Sequence, residues 1–401
     1  MGSIYPDGYS VDFYGFEVIE FYLRRFLLYY SNYPITTRIL YSMILVCVIA
    51  MIVLFILFIR RIRSNKRKEE LFTSARRDLY DGFYKILISD KKPSVTDLEE
   101  ACNMKWDMIT SYGPESLSRV ISEICMDLNR EADNVPNADT LCTMTGVKAL
   151  YEKNLASDHN VLLTLQNMVN LHVSVSEGLL ANYINHYKSN VRQMARMCHI
   201  ISSKSEPYRY LIEDLNEHQG IWRFMMMHRL FGWVWANERQ MPQFLIIAKK
   251  VQNEQSVAFL IEEVAYWGSD AEKASLHEIL LSPTYKYRIA ALRAIAKLCD
   301  KDQEQAAVES YEHQPESIRH EVLRAVHAIN SGLYTEFFVN AYRTASSKLT
   351  KEIALSCLYT YANTGRRAFE LLRSEVINNE EERRLMDQID AVAILNQMRM
   401  L

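Results

Sequence analysis

The chain has 401 residues but only 12 Gly and 9 Pro, so it is poor in the residues that form turns. Typical proteins contain about 7% Gly and 5% Pro, and this shortage excludes ordinary β-sandwiches, propellers and Gly-rich phosphate-binding folds and predicts an all-α protein. A hydrophobic content of 49% excludes a disordered chain, and a net charge of −3 gives no reason to expect nucleic acid as a partner.

The segment 1–38 is a tail with 11 Phe and Tyr side chains. Apolar residues between Phe16 and Tyr30 recur at intervals of three and four, which predicts an amphipathic helix. Aromatic rings are typical of the membrane interface, so we expect residues 1–38 to form an external, interfacial tail. This tail is too short to build a ligand-binding domain.

Residues 39–59 contain no charged side chain. As a helix these 21 residues would be about 31 Å long, enough to cross a hydrocarbon core of about 30 Å, so they predict a single transmembrane helix. The segment 60–68, called the basic collar below, follows at once. Its cations are Arg60, Arg61, Arg63, Lys66, Arg67 and Lys68.

The basic collar sets the expected topology. Cations flank the cytoplasmic end of a membrane span, so the prediction is a single-pass protein of the plasma (inner) membrane with its N-terminus outside. The collar would also attract anionic lipid head groups, although a topology signal alone would explain it. Residues 69–401 hold 37 Lys and Arg against 45 Asp and Glu, a net charge of −8, which again speaks against nucleic acid.

Residues 69–240 are expected to form a helical domain. The predicted helices cover residues 71–88, 95–111, 114–129, 139–155 and 159–185, with a loop at 133–139. Segment 169–178 alternates enough to be a strand, but a helix is favoured because nothing nearby could pair with it. The seven Cys are scattered without the spacing of a zinc site and should be free thiols in a reducing compartment.

Residues 241–401 contain an internal repeat. Segments 287–298 and 318–329 align position by position, and 349–362 is a weaker third copy. The aligned positions predicted to pack between repeats are Ala291, Leu292, Ala294 and Ile295 in the first copy and Val322, Leu323, Ala325 and Val326 in the second. Each copy follows another predicted helix, at 272–281, 303–311 and 334–345. Such helical hairpins bury their apolar faces only by stacking.

This pattern resembles the HEAT-repeat family, in particular its compact bacterial form, because the period of about 31 positions is shorter than the 40–47 residues of long HEAT units. The residues that carry the resemblance are Pro283, Arg288, Ala291, Leu292, Ala294, Ile295, Pro315, Arg319, Val322, Leu323, Ala325 and Val326. The resemblance implies a cytoplasmic α-solenoid with a partner-binding surface. Proteins of this appearance are plausible accessories of envelope glycosyltransferases or export machines.

Few residues indicate chemistry. There is no phosphate loop or nucleophile elbow, and His320-Glu321 lacks the second His of a zincin motif. We therefore expect no catalytic residue, metal or cofactor. Segment 221–236, with Trp222, Trp233 and Trp235, predicts either a docking surface or a packed joint between the two halves of the cytoplasmic domain. Arg288 and Arg319 are read either as contacts to a neighbouring repeat or a partner, or as solvated surface.

The expected function is that of a non-catalytic scaffold or regulatory subunit, tethered to the membrane and binding a protein partner at or in the bilayer. Besides that protein, the lipid bilayer is an expected partner, whereas nucleic acid and small-molecule substrates are not. One alternative is a signalling receptor with a short external tail. Another is an enzyme built on a HEAT-like fold.

Overall fold

The computed structural model describes residues 20–22, 24–25, 28–30, 32, 34–89, 91–131, 135–376 and 379–399. Every regular element in these ranges is a helix, which confirms the prediction of an all-α chain for them. The chain divides into two compact units, Met1–Ser74 and Ala75–Leu401.

The first unit is dominated by helix α1 (Ile35–Leu87), which starts after Pro34 and continues into the second unit. An 18-residue window of this helix has a mean hydropathy of 3.3, and none of that window is buried. By length and composition α1 is able to cross a membrane. The helix predicted at 71–88 is the end of α1 rather than a separate element. The amphipathic helix predicted before Pro34 lies partly outside the described residues.

The N-terminal half of the second unit contains short helices. They are α2 (Val95–Cys102), α3 (Trp106–Ser111), α4 (Pro114–Glu131), α5 (Ala138–Met144), α6 (Val147–Ala156), α7 (Val161–Asn170), α8 (Glu177–Ile184), α9 (Ser189–Ser202) and α10 (Leu211–Asn216). The end of α1 packs beside α4, where the Tyr80 hydroxyl donates to Asp127 (3.0 Å). The buried Asn137 amide donates to the Ile86 carbonyl (3.0 Å) just before α1 ends, where this carbonyl also accepts from the Ser89 N–H (3.3 Å).

Three predicted helices are shorter in the structure. Asn103 and Gly146 adopt the left-handed conformation, with φ of 50° and 75°, and they separate α2 from α3 and α5 from α6. His172 (φ 50°) does the same after α7, where the Val173 N–H donates back to the Met168 carbonyl (2.9 Å). Residues 173–176 are neither helix nor strand. The prediction of a helix at 169–178 is therefore wrong for residues 173–176, and the alternative prediction of a strand is wrong there as well.

The C-terminal half contains several helices of 13 to 20 residues with shorter helices between them. They are α11 (Ile221–Ala236), α12 (Phe244–Ala248), α13 (Glu254–Trp267), α14 (Asp270–Ala274), α15 (Leu276–Ile279), α16 (Tyr285–Leu298), α17 (Lys301–Ser310), α18 (Glu316–Ile329), α19 (Thr335–Thr344), α20 (Lys348–Thr360), α21 (Ala362–Glu375) and α22 (Glu380–Arg399). A short 3₁₀ turn, Tyr311–His313, separates α17 from α18.

Five of these helices, called the repeat helices below, are α13, α16, α18, α20 and α22. They start at residues 254, 285, 316, 348 and 380, so that the spacing between successive starts is almost constant. Each repeat helix contacts the next one. Both α16 and α18 end at a left-handed residue, Cys299 (φ 51°) and Asn330 (φ 55°), and these two positions align in the repeat. The boundary predicted at residue 240 remains a prediction.

Candidate partner-binding surface

The predicted packing positions lie between the repeat helices and are buried. Ala291, Ile295, Val322, Leu323 and Val326 have no exposed surface, and Leu292, Ala294 and Ala325 are at most 2% exposed. Helix α16 contacts both α13 and α18, so its alanines lie where neighbouring backbones approach each other. Small side chains at these places permit that approach.

Polar contacts join residues about one repeat apart on the repeat helices. Lys286 Nζ is 2.8 Å from a carboxylate oxygen of Glu254, and Arg293 is 3.3 Å from Glu262. Further along, Lys351 pairs with Glu382 at 2.6 Å. The partners are separated by 32, 31 and 31 residues. Each contact therefore connects the same parts of successive repeat helices.

Two histidines of α18 bond to the following repeat helix. His320 Nε2 lies 2.8 Å from the Thr350 hydroxyl, and His327 Nε2 lies 2.7 Å from the Thr360 hydroxyl. Burial lowers the pKa of His327, which favours the neutral ring. These contacts explain both histidines through packing, without a metal.

Arg288 and Arg319 bond to the turn at Gln314. The Arg288 guanidinium donates from α16 to the Gln314 side chain (2.7 Å), whereas Arg319 donates to the Gln314 carbonyl (2.9 Å) and to the Glu312 carbonyl (2.9 Å). Arg288 thus reaches the next hairpin and Arg319 fixes its own turn. Both side chains are half-buried and already engaged within the chain.

An open groove of about 350 Å³ lies between α16 and α18 on the surface of the second unit. It is lined by Leu292, Arg293, Ala296, Lys297, Glu321, Arg324, Ala325 and Ala328. We call it the inter-repeat groove. Small residues form its floor, and cations dominate its rim. Glu321 pairs with Arg324 of its own helix at 2.8 Å and with Arg293 of α16 at 3.6 Å, so this carboxylate connects the two helices.

The aromatic cluster of α11 is divided between the core and the surface. Trp233 stacks on the buried His172 ring, with centroids 4.9 Å apart and planes within 8° of parallel. This contact joins residues of the two halves of the unit, as expected for a packed joint. Trp222 and Trp235, in contrast, are 64% and 60% exposed. The contact of Trp233 agrees with the predicted joint, whereas a docking surface at the exposed Trp222 and Trp235 remains a prediction.

Sequence reasoning missed three buried polar clusters. The Tyr361 hydroxyl donates to Glu304 (3.0 Å) and accepts from the Gly332 and Tyr334 N–H groups (3.2 Å each). The other two clusters are the Arg223–Asp214 ion pair at 2.6 Å and the His228–Glu263 pair at 2.9 Å. Burial raises the pKa of Glu263, although His228 opposes this effect. Tyr361 and Glu304 are 57 residues apart, His228 and Glu263 are 35 apart and Arg223 and Asp214 are nine apart, and no motif links any of these pairs.

Five of the six cysteines after residue 69 are buried. Burial raises the pKa of the Cys102 thiol to about 11 and those of Cys125 and Cys357 to about 12, which leaves them unreactive. No group of three or more His, Cys, Asp or Glu in the described ranges could hold a metal ion. The six collar cations are exposed along α1, and Lys66 lies 3.9 Å from Glu70.

The sequence matches no protein-family model, and no curated protein is significantly similar to it. The inference of function therefore depends on the geometry of the repeat helices and on α1.

Proposed function

We propose that the protein is a membrane-tethered scaffold whose stacked hairpins form a HEAT-like α-solenoid that binds a protein partner. The observation that carries this proposal is the regular succession of repeat helices, joined by contacts between residues 31 or 32 positions apart. Stacked hairpins of this kind create extended surfaces that are suited to binding other proteins.

The tether in this proposal is the apolar part of α1. Its hydropathy and length support a membrane span at residues 39–59. The basic collar directly after that segment supports a cytoplasmic location for residues 69–401. A reporter enzyme fused after Leu401 tests this topology. It should be active only in its cytoplasmic form, and cleavage of the C-terminus by protease added outside intact cells would refute the proposed orientation.

The inter-repeat groove is the proposed partner site. Its alanine floor leaves room for a bound segment. Its lining holds three cations, Arg293, Lys297 and Arg324, against the single carboxylate of Glu321, and this excess of positive charge suits a partner that carries acidic side chains. The partner is accordingly a membrane protein with an acidic cytoplasmic segment. An envelope glycosyltransferase or an export machine would be a partner of the required kind.

Crosslinking in intact membranes tests this site. A photo-crosslinking residue at the exposed Ala328 should capture a membrane protein, and Ala296→Glu should abolish the capture by placing a negative charge beside the groove. Ala306→Glu on α17 is the matched control, because Ala306 is equally half-buried but does not line the groove. Equal capture by both Glu variants would contradict the proposed site.

A further inference from the structure

Helix α11 is apolar on its exposed face as well as on its buried face. Met226, Met227, Leu230, Phe231 and Val234 pack into the core. On the opposite side, Ile221, Trp222 and Met225 are 82%, 64% and 47% exposed. Arg229 follows four residues after Met225 and is also exposed, so it shares this side of the helix. We call these four residues the Trp face.

Two more exposed cations lie in a segment that is bonded to the end of the helix before α11. Lys249 and Lys250 follow α12, in a segment tied to the end of α10. The Gln252 N–H donates to Asn216 Oδ1 (2.7 Å), and the Asn253 amide donates to the Glu217 carbonyl (3.4 Å). Only three residues separate Glu217 from Ile221. The segment that carries the lysines is therefore anchored to the turn that precedes Ile221 and Trp222, and Lys249 also lines an open pocket that contains Glu272 and Glu278.

These cations have no acidic partner of their own. Within the described ranges, Arg229, Lys249 and Lys250 form no ion pair, whereas the neighbouring Arg192 and Arg196 pair with Glu217 at 2.7 and 2.9 Å. Segment 219–250 contains five cations and one anion and so has a net charge of +4, whereas residues 69–401 as a whole have a net charge of −8. Of those five cations only Arg223 is neutralised, by Asp214. The exposed anion of the segment is Glu238.

We propose that the Trp face rests on an anionic lipid surface and forms a second membrane contact of the chain, an inference that rests on the membrane tether of the proposed function. An exposed Trp with adjacent aliphatic side chains suits the boundary between head groups and acyl chains. Unpaired Lys and Arg residues are attracted to the negative surface potential of anionic lipids. A tether holds the unit near that surface, so a weak contact suffices.

The experiment uses the full chain reconstituted in vesicles of phosphatidylcholine, with or without phosphatidylglycerol, that contain spin-labelled lipid as a quencher of Trp fluorescence. Quenching should be stronger when phosphatidylglycerol is present and should fall in Trp222→Ser. Trp106→Phe is the control, because Trp106 is half-buried on α3 and should not contribute. Equal quenching in wild type and Trp222→Ser would refute the contact.

A charge variant tests the second part of the proposal. Arg229→Glu, Lys249→Glu and Lys250→Glu together should abolish the effect of phosphatidylglycerol. The control combines Lys153→Glu, Lys204→Glu and Lys301→Glu, which change the net charge equally at exposed positions elsewhere. An unchanged lipid effect in the first variant would refute the proposal, as would crosslinking of α11 to a second copy of the chain.

Extraction with alkaline carbonate separates this proposal from the tether. A transmembrane helix resists extraction in wild type and in every variant, whatever the Trp face does. If wild type were extracted while Trp222-dependent quenching persisted, the tether would be wrong and the lipid contact would stand. If the chain resisted extraction without such quenching, the tether would stand alone.

Discussion

At the scale of single residues, the alanines between repeat helices offer the most direct test of the packing. Ala294 and Ala325 are 1% and 2% exposed. Ala294→Asp and Ala325→Asp should each lower the free energy of unfolding by several kcal/mol, because a carboxylate would be buried without a partner. The same change at the half-buried Ala306 should have a smaller effect. Chemical denaturation measures all three, and unfolding of both variants at the wild-type midpoint would contradict the packing.

A second residue-scale prediction concerns acid stability. Burial lowers the pKa of His172 from 6.5 to about 3, and its Nδ1 has no hydrogen-bond partner among the described residues. Between pH 6.5 and about pH 3, the unfolded chain therefore binds a proton at His172 that the folded chain does not bind. The contribution of His172 to stability is complete above pH 6.5 and decreases as the pH falls towards 3.

The test compares wild type with His172→Asn, which keeps a residue that tolerates positive φ but does not titrate. The difference in unfolding free energy between the two proteins should shift by about 3 kcal/mol between pH 6.5 and about pH 4, with wild type losing more. Taking the difference removes the contributions of other groups, such as Glu263, that both proteins share. A difference that does not vary with pH would mean that folding leaves the pKa of His172 unchanged.

Residue identity alone would not have indicated the buried polar clusters. Glu304 and Tyr361 are 57 residues apart, and both are completely buried. A Glu in an amphipathic helix is ordinarily solvated, so only the three-dimensional packing reveals that Glu304 faces inward. The groove is a similar case, because the floor positions Ala296 and Ala328 belong to different helices and do not align in the repeat.

At the scale of elements, Gly365 in α21 marks a place where the backbone of one helix lies close to that of another. A Cβ added there would lie 2.1 Å from the carbonyl oxygen of Leu358 in α20, so backbone atoms would have to move. Gly365→Ala should therefore destabilise the protein by about 1–3 kcal/mol through overpacking. A thermal melt that matched wild type would show that α20 and α21 pack less closely.

Gly178 supplies the matched control for this prediction. It also lies within a helix, α8, but an added Cβ would meet the Ser176 hydroxyl only at 3.6 Å, an ordinary contact. Gly178→Ala should be neutral or should stabilise by up to about 1 kcal/mol, since Ala favours the helical conformation. Both substitutions add the same methyl group, so the difference between their effects on stability would isolate the effect of packing.

The occurrence of helices was predictable from apolar spacing, whereas their interruptions were only partly so. Gly146 and Asn103 are residue types that commonly adopt positive φ, and their presence inside predicted helices was a usable signal. His172 is a weaker signal of the same kind, and in its left-handed conformation its ring stacks on Trp233, which lies 61 residues further along the chain. Apolar spacing favours a helix at residues 169–178 and does not reveal that distant contact.

At the scale of the whole molecule, the period of the C-terminal half was readable from the aligned segments 287–298 and 318–329. The repeat helices extend that period to residues 254 and 380, where the sequence shows no clear copy. Packing keeps the spacing between repeat helices nearly constant even where their side chains differ, because each repeat helix must pack against the one before it. The sequence did not predict that the apolar segment and the helix ending at Leu87 form one continuous helix, because the charged residues 60–70 between them show no apolar periodicity.

The last prediction compares the intact chain with a chain that lacks residues 1–59 and with one that carries an unrelated transmembrane helix in place of residues 39–59. If the protein acts as a tethered scaffold, removing the tether should weaken the association with its membrane partner by about 10²-fold, because the high local concentration is lost while every contact remains. The unrelated helix should restore most of the association. Capture at Ala328 in membranes measures all three.

Substitutions of single reactive residues complete this comparison, because they distinguish scaffolding from catalysis. His→Ala at each of the 10 His and Cys→Ala at each of the six Cys after residue 69 should leave the biological role largely intact, provided that the variant folds. A scaffold distributes its binding energy over a surface, whereas an enzyme loses several orders of magnitude when a catalytic group is removed. Complete loss of function in one well-folded variant would therefore favour the enzyme over the scaffold. If the unrelated helix failed to restore the association, a binding role would be assigned to the native N-terminal segment.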